Sequence, residues 1–398
     1  MSTTDATRPA TAGARAADLL ELDALLSTEE RAGRDRIRAF AGEQLRPHVA
    51  EWYEAGGLPA ELPRLLGDLG VLGMHLEGHG LGGASAVEYG LACVEIEAVD
   101  SGLRTFVSVQ GSLAMTAIHH FGSDEQRGEW LGPLAAGEAL ACFALTEPEA
   151  GSDPSSMRTF ARRDGDDWVL DGEKRWIGSA TVADVVVVWA QTDDGVRGFL
   201  VPRGTRGYEA HEITGKLSMR TSPHAHLRFE GCRLPAAALL PEARGMRAPF
   251  TCLGEARHGI VWGSMGAARD AFECALDYAS RREVFGGPIA RFQLTQQKLV
   301  GMAIAVSTGS LLALHLGRMK DEGRLAPEQI SLGKLANVRA ALEVARTART
   351  ILGGNGVTLD FSPMRHAANL ESVLTYEGTE EIHTLVLGKA ITGHSALR

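Results

Sequence analysis

An α+β protein in three successive parts is what this sequence predicts: an N-terminal helical domain, a middle antiparallel β-domain and a C-terminal four-helix bundle. Three observations carry the prediction. Apolar residues recur at helical spacing from about Leu22 to Leu140; the period changes near residue 141; helical spacing returns at Cys252 and holds to the end. Helices and strands are thus segregated along the chain, which speaks against alternating βαβ units and a parallel sheet. The parts follow as 21–140, 141–250 and 251–398, after a disordered tail over 1–20.

The N-terminal part opens with Ile37, Phe40, Ala41, Leu45, Val49 and Trp52 at helical spacing between residues 30 and 54. Glu61 to Leu69 also reads as a helix, and Ala86 to Val99 repeats the pattern with Tyr89, Ala92, Cys93 and Ile96. In the middle part, Trp168 to Lys174 reads as a hairpin with an Asp171-Gly172 turn. Asp184 to Ala190 is a β-branched run, turned back by Asp193-Asp194-Gly195 into Val196 to Val201. His226 to Glu230 alternates before Gly231. The C-terminal part holds long helices over Gly259–Arg281, Gln293–Glu322 and Pro327–Leu352, the last stopped by Gly353-Gly354-Asn355-Gly356. Ile382, Leu385, Val386 and Ala390 give a terminal helix over 380–393, which completes the predicted bundle.

Composition narrows the function classes. The chain has 398 residues, 44% of them hydrophobic and 23% charged, ordinary for a globular protein with a sizeable core. A formal net charge of -10 argues against a nucleic-acid surface. The five cysteines are scattered, with no Cys-x-x-Cys pair, which suits buried thiols in a reducing compartment. No run reaches the apolar length expected of a membrane span, and Asp5 interrupts a tail otherwise rich in Ala, Thr and Arg. The expected location is cytoplasmic, without membrane or nucleic-acid partners. The histidines do not pair with Cys or acids at metal spacing, so no metal is expected.

Gly78-His79-Gly80-Leu81-Gly82-Gly83 matches the dinucleotide fingerprint, and Glu97 or Asp100 follows at roughly the expected distance. The context is wrong, because the preceding residues read as a helix where a buried strand is required. These glycines read as a loop.

The most informative stretch is Tyr376-Glu377-Gly378-Thr379-Glu380-Glu381-Ile382. It sets a carboxylate on a Gly-containing turn just before a helix. A carboxylate pushed from there into an apolar pocket has a raised pKa and can act as a general base. A glutamate near a helix start also simply favours the positive end of the dipole. Other segments decide between these readings: Phe143-Ala144-Leu145-Thr146-Glu147-Pro148-Glu149-Ala150-Gly151-Ser152-Asp153, Trp176-Ile177-Gly178-Ser179, Arg282 to Gly286 with Pro288, Ile289 and Gln293, and Leu352-Gly353-Gly354-Asn355-Gly356. With the Tyr376 motif they make five, in one order, and from about residue 25 to the C-terminus the chain resembles the acyl-CoA dehydrogenase family. Glu97 to Arg104, Ser108-Val109-Gln110, Thr146 to Met157, Arg365 to Glu371 and Leu387 to Gly393 look like the glutaryl-CoA dehydrogenase branch.

The resemblance implies an acyl-CoA dehydrogenase-like α+β fold, a tetramer built as a dimer of dimers, and FAD bound across a subunit interface. It implies that Glu377 removes the α-proton of an acyl thioester, whose carbonyl meets the Glu377 N–H and a ribityl hydroxyl. On the FAD it places Phe143, Leu145, Thr146, Gly151, Ser152, Trp176, Ile177, Ser179 and Thr379, with Glu381 beside it. Arg282, Phe285, Gln293, Gly353 and Gly354 reach the FAD of a neighbouring subunit. On the acyl-CoA it places Ser152, Phe250, Arg257, Tyr376 and Gly378. Arg104, assisted by Thr105 and tuned by Glu97, would bind a distal carboxylate; read from spacing alone, Glu97 and Arg104 are equally an intrahelical pair or solvated charges. The implied reaction takes glutaryl-CoA to crotonyl-CoA with loss of carbon dioxide, and passes electrons to an electron-transfer flavoprotein. An acyl-CoA dehydrogenase for another thioester, without decarboxylation, is the alternative. Gly178, Thr350 and His224 depart from the residues usual in the family.

Overall fold

The computed structural model describes residues 18–396. Most of the expected tail, residues 1–17, lies outside the described residues. Seven helices build the N-terminal part: α1 (Thr28–Phe40), α2 (Val49–Ala55), α3 (Leu62–Leu69), α4 (Ala86–Glu97), α5 (Ser101–Ser108), α6 (Thr116–Phe121) and α7 (Asp124–Ala135). Capping residues set several of their starts. Ser85 and Glu88 form a reciprocal capping box at α4, an arrangement whose loss costs about 1 kcal/mol. The fingerprint glycines form a small hairpin, β1 (Glu77–Gly78) with β2 (Leu81–Gly82), and its turn residues His79 and Gly80 both have positive φ. No strand–glycine–helix unit exists there.

The middle part is one seven-stranded sheet: β3 (Ala141–Ala144), β4 (Phe160–Asp164), β5 (Asp167–Gly178), β6 (Val185–Thr192), β7 (Gly195–Pro202), β8 (Tyr208–Glu212) and β9 (His224–Leu234). Two sequence expectations are corrected here. The sheet is mixed, because β3 runs parallel to β6 with Ala141 opposite Val185, while β4–β5, β5–β9, β6–β7 and β8–β9 are antiparallel. Asp171-Gly172 is not a turn. β5 continues through it, and the register against β9 slips between Leu170 and Gly172 as a bulge. The hairpin turn lies earlier, between Asp164 and Asp167.

Two short strands, β10 (Glu283–Val284) and β11 (Gly287–Pro288), form a hairpin between the first long C-terminal helices. The C-terminal helices are α8 (Arg247–Arg281), α9 (Gln293–Asp321), α10 (Pro327–Ile351), α11 (Ser362–Thr375) and α12 (Glu380–Thr392). The bundle is α8 to α11, and the terminal helix packs outside it on α10. The fourth bundle helix is therefore α11, not the terminal one. α9 is also long and apolar enough to cross a membrane, contrary to the sequence expectation. Half of its apolar stretch is buried within the chain, as in the core helix of a bundle.

A single carboxylate ties the three parts together. Asp100, fully buried between α4 and α5, accepts from the Gly102 N–H (2.8 Å), Thr221 Oγ1 of the β-domain (2.5 Å), and Arg365 Nε (3.1 Å) and Asn369 Nδ2 (2.9 Å) of α11. The same Asp100 caps the N-terminus of α5, the helix that carries Arg104.

Candidate active site

Glu377 stands on the four-residue connection between α11 and α12, as the sequence predicts. Thr379 caps α12, accepting from the Ile382 N–H at 3.3 Å. Glu377 has φ of 54°, a left-handed conformation that costs a side-chain-bearing residue about 1–3 kcal/mol and needs outside support. That support comes from two helices. Arg257 of α8 donates Nε to the Glu377 carbonyl at 2.7 Å. Lys334 of α10 donates Nζ to the Gly378 carbonyl at 2.6 Å and to the Tyr376 carbonyl. Gly378 is required here: its φ is 103°, and a Cβ would stand 2.7 Å from His383 Nε2.

Arg104 completes the site from the N-terminal domain. It is 0% exposed, on α5, and pairs with the equally buried Glu97 at 2.6 Å through Nε. Its Nη2 donates to Tyr376 Oη at 2.6 Å, which also meets Thr105 Oγ1 at 3.0 Å. The Glu97–Arg104 pair fits only because α8 has Gly263 opposite, where a Cβ would lie 2.1 Å from Glu97 Oε2. Five buried polar atoms around the turn have no hydrogen-bond partner among the described residues: Arg104 Nη1, Glu97 Oε1, Glu377 Oε2 and both ring nitrogens of His383. Buried polar atoms are normally paired, so orphans clustered at one place mark where a ligand belongs.

The electrostatics favour proton transfer. Burial raises the Glu377 pKa above the usual carboxylate range, against the pull of Arg104, Lys334 and Arg257. Burial likewise pushes the Lys334 ammonium down to about 7 and His383 down to about 3. Arg104 is held protonated: burial opposes its charge, but Glu97, Tyr376 and Glu377 outweigh that.

The remaining residues singled out in the sequence fall into two groups. The first lies at the near edge of the β-domain. Trp176 is 52% exposed with φ of 63°, Ser179 is buried with φ of 62°, and Gly151 and Ser152 are exposed on the loop after β3. A buried ion pair between Lys174 and Glu147 at 2.9 Å shapes that loop, with Glu147 also accepting from the N–H groups of Arg158 and Thr159. Thr146 is half-buried there. Phe143, Leu145 and Ile177 are buried in the core cluster of the sheet. The second group is exposed at the far end of the bundle. Phe285 is 93% exposed at the tip of the β10–β11 hairpin, and Arg282, Gln293, Gly353 and Gly354 are exposed near it in the fold. Among the described residues no hydrogen bond or ring contact joins this group to Trp176 or Glu377. Phe250 is exposed at the start of α8, and Glu381 is exposed in the first turn of α12.

Sequence reasoning missed Lys334 and His383. Lys334 had a readable signal. It lies on the apolar stripe Lys334, Val338, Ala341, Ala345 and Ala348, where a lysine is expensive without a purpose.

Comparison with known proteins agrees with this construction. Residues 27–138, 142–232 and 243–392 match the acyl-CoA dehydrogenase N-terminal, middle and C-terminal domain models. Two solved structures of glutaryl-CoA dehydrogenase from Mycobacterium smegmatis superpose with TM-scores of 0.95. They are 59% identical and, for the one in complex with FADH2, 56% identical, each covering 96% of this chain and 99% of theirs. The short-chain specific acyl-CoA dehydrogenase of Bos taurus mitochondria is 36% identical over 371 residues, 91% of this chain and 88% of the relative. With its three domain types in order and the turn, cations and orphaned atoms described above, the chain belongs to the acyl-CoA dehydrogenase family.

Proposed function

We propose that this protein is a glutaryl-CoA dehydrogenase: it removes the α-proton and β-hydride of glutaryl-CoA, and releases carbon dioxide to leave crotonyl-CoA. The observation that carries the reading is the buried Arg104 with its unpartnered Nη1. Three cationic side chains (Arg104, Lys334, Arg257) face two acidic ones (Glu97, Glu377), so the pocket has one formal positive charge to spare. A distal carboxylate would balance it; an aliphatic acyl tail would leave it unanswered.

FAD fits the rest of the site. The exposed Trp176 and the accessible backbone of the Thr146–Ser152 loop suit one end of such a cofactor. Arg282 and Gln293, with the open Gly353-Gly354 backbone, suit the phosphates and adenosine of another subunit's FAD, an arrangement that calls for an oligomer. The exposed apolar residues Leu294, Val300, Ile304 and Leu311 on α9 support a partner subunit, and we take the assembly to be a tetramer. When bound, FAD supplies the hydride acceptor. The protein supplies the rest. Glu377 takes the α-proton, and its own N–H holds the thioester carbonyl as negative charge gathers there. Arg104 anchors the far carboxylate so that the α- and β-carbons are fixed in place. Loss of carbon dioxide from glutaconyl-CoA leaves a dienolate, and protonated Glu377 returns a proton to give crotonyl-CoA. Electrons leave to an electron-transfer flavoprotein. The free thiols, four of them buried, support a cytoplasmic location.

A second reading, oxidation of an uncharged short acyl-CoA without decarboxylation, is favoured by Glu97 and Tyr376 already occupying Arg104 Nε and Nη2. Anaerobic mixing separates the two. Glutaryl-CoA should bleach the flavin and release carbon dioxide, while butyryl-CoA should do little; equal bleaching by both would overturn the first reading.

A further inference from the structure

The deepest unexplained feature is Lys334, a lysine 1% exposed in the middle of an apolar helix stripe. Among the described residues its ammonium forms no ion pair; both hydrogen bonds go to backbone carbonyls, those of Tyr376 and Gly378, the residues on either side of Glu377. The geometry of the peptide unit gives this a consequence. In a trans peptide the carbonyl of one residue and the N–H of the next point in opposite directions, and the chain has no cis peptide bond among the described residues. Drawing the Tyr376 carbonyl onto Lys334 therefore turns the Glu377 N–H away from Lys334. Arg257 does the same for the next unit, taking the Glu377 carbonyl at 2.7 Å and turning the Gly378 N–H the other way. The left-handed φ of Glu377 persists because both of its peptide units are held from outside.

We propose that Lys334 is a positioning residue for the reaction: by gripping the carbonyls that flank Glu377 it aims the Glu377 N–H at the thioester carbonyl and sets a buried positive charge beside the base. The proposal rests on the reading of Glu377 as that base. The charged and titratable groups facing Glu377 are Lys334 from α10, Arg257 from α8, Arg104 from α5, Glu97 and Cys93 from α4, and the neighbouring Tyr376, with burial holding the Cys93 thiol and the Tyr376 phenol neutral. His383 from α12 also faces the turn, and burial keeps it neutral. Among the described residues Lys334 and Arg257 have no acidic partner other than Glu377, whereas Arg104 has Glu97; Lys334 alone of the three grips the carbonyls on both sides of the base. A nearby cation favours the ionised carboxylate, so deleting Lys334 raises the Glu377 pKa further, and the acid limb of the rate profile moves to higher pH.

The test uses FAD-loaded enzyme, mixed anaerobically with glutaryl-CoA below about pH 7, where the ammonium holds its proton. Lys334→Met removes the charge and both hydrogen bonds, and Lys334→Gln removes the charge but keeps one donor. Expected for Lys334→Met is a fall in the limiting rate of flavin bleaching of about 10²-fold, the scale of one lost oxyanion donor. Its acid limb should shift upward, with substrate affinity little changed. Lys334→Gln should show a smaller rate loss with the same upward shift. A folded, flavin-bearing variant with unchanged rate and unchanged acid limb overturns the proposal. So does a rate loss that only tracks lost flavin, or the failure of both variants to hold FAD, since Lys334 is then a folding residue. A Glu377→Gln control identifies the other failure: if it bleaches at the parent rate, the base assignment itself is wrong.

Discussion

The turn around Glu377 and the hairpin around Phe285 are opposites. At the first, cations from three helices converge on two acids, Glu97, Arg104 and Lys334 are buried, and the Tyr376, Glu377 and Gly378 carbonyls are each engaged by a side chain of the same chain. At the second, an aromatic at positive φ is 93% exposed, and the Arg282 guanidinium and the glycines Gly353 and Gly354 are exposed too. The contrast teaches where each kind of chemistry can be kept. Proton transfer needs a dry, preorganised site, so the chain completes that site by itself. Holding a large anionic cofactor needs an open cradle, and here the chain offers exposed surfaces.

The sharpest way to break this contrast is at Glu377. Glu377→Gln should lower flavin bleaching by glutaryl-CoA by roughly 10²–10⁴-fold, the usual range for removing a general base, while leaving FAD content unchanged. It should also melt higher than the parent, and the difference should grow with pH. The sign follows from the raised pKa: a buried carboxyl contributes full stability below its unfolded value of 4.5 and loses it as pH rises through the folded value. The amide has no such loss. A variant that melts lower at neutral pH than in acid, relative to the parent, would contradict a raised Glu377.

Arg104→Met probes the same buried end with a smaller effect. Leaving Glu97 buried without its cation is destabilising by about 3–5 kcal/mol, so the double change Glu97→Gln with Arg104→Met is the cleaner variant. It should lose about 10²-fold in kcat/KM for glutaryl-CoA and keep whatever activity the parent has on butyryl-CoA. An equal loss on both thioesters would mean that Arg104 supports the turn through Tyr376 and does not select substrate.

The smallest effect is expected at the open end. Arg282→Ala should weaken FAD retention by about tenfold, through loss of one charge-assisted contact, with no change in melting of the apoprotein. Fluorescence of released flavin on dilution reads it directly. A change in flavin bleaching rate at full FAD occupancy would instead tie Arg282 to the Glu377 end.

Much of this was legible in the sequence because the signals are local. Helix α12 follows from its apolar spacing and the glycine after it, and Gly393 does end it with positive φ. Glu377 was readable from its turn, and Arg104 from the motif around it. What escaped was non-local. The parallel pairing of β3 with β6 joins Ala141 to Val185, and no neighbouring residue announces it. Asp171-Gly172 has turn chemistry but becomes a bulge because β9 pairs on through both sides of it. α11 is hard to read as a bundle helix because its stripe is short and broken by Arg365, His366 and Asn369, whose hydrogen bonds reach Val99, Asp100, Met219 and Asp270 on distant elements. Lys334 was hidden for a different reason. Its meaning lies in two backbone carbonyls 42 and 44 residues away, and backbone atoms carry no letter in a sequence.

Asp100 sits one helical turn before Arg104, at the head of the same short helix, and gathers its donors from the sheet and from α11. Any change at Thr221, Arg365 or Asn369 would therefore tilt or loosen the helix that presents the guanidinium, although none of the three is hydrogen-bonded to Arg104 or Glu377. Evolution, or an engineer, could retune which thioesters are accepted by working at this remote joint and leaving the pocket lining untouched.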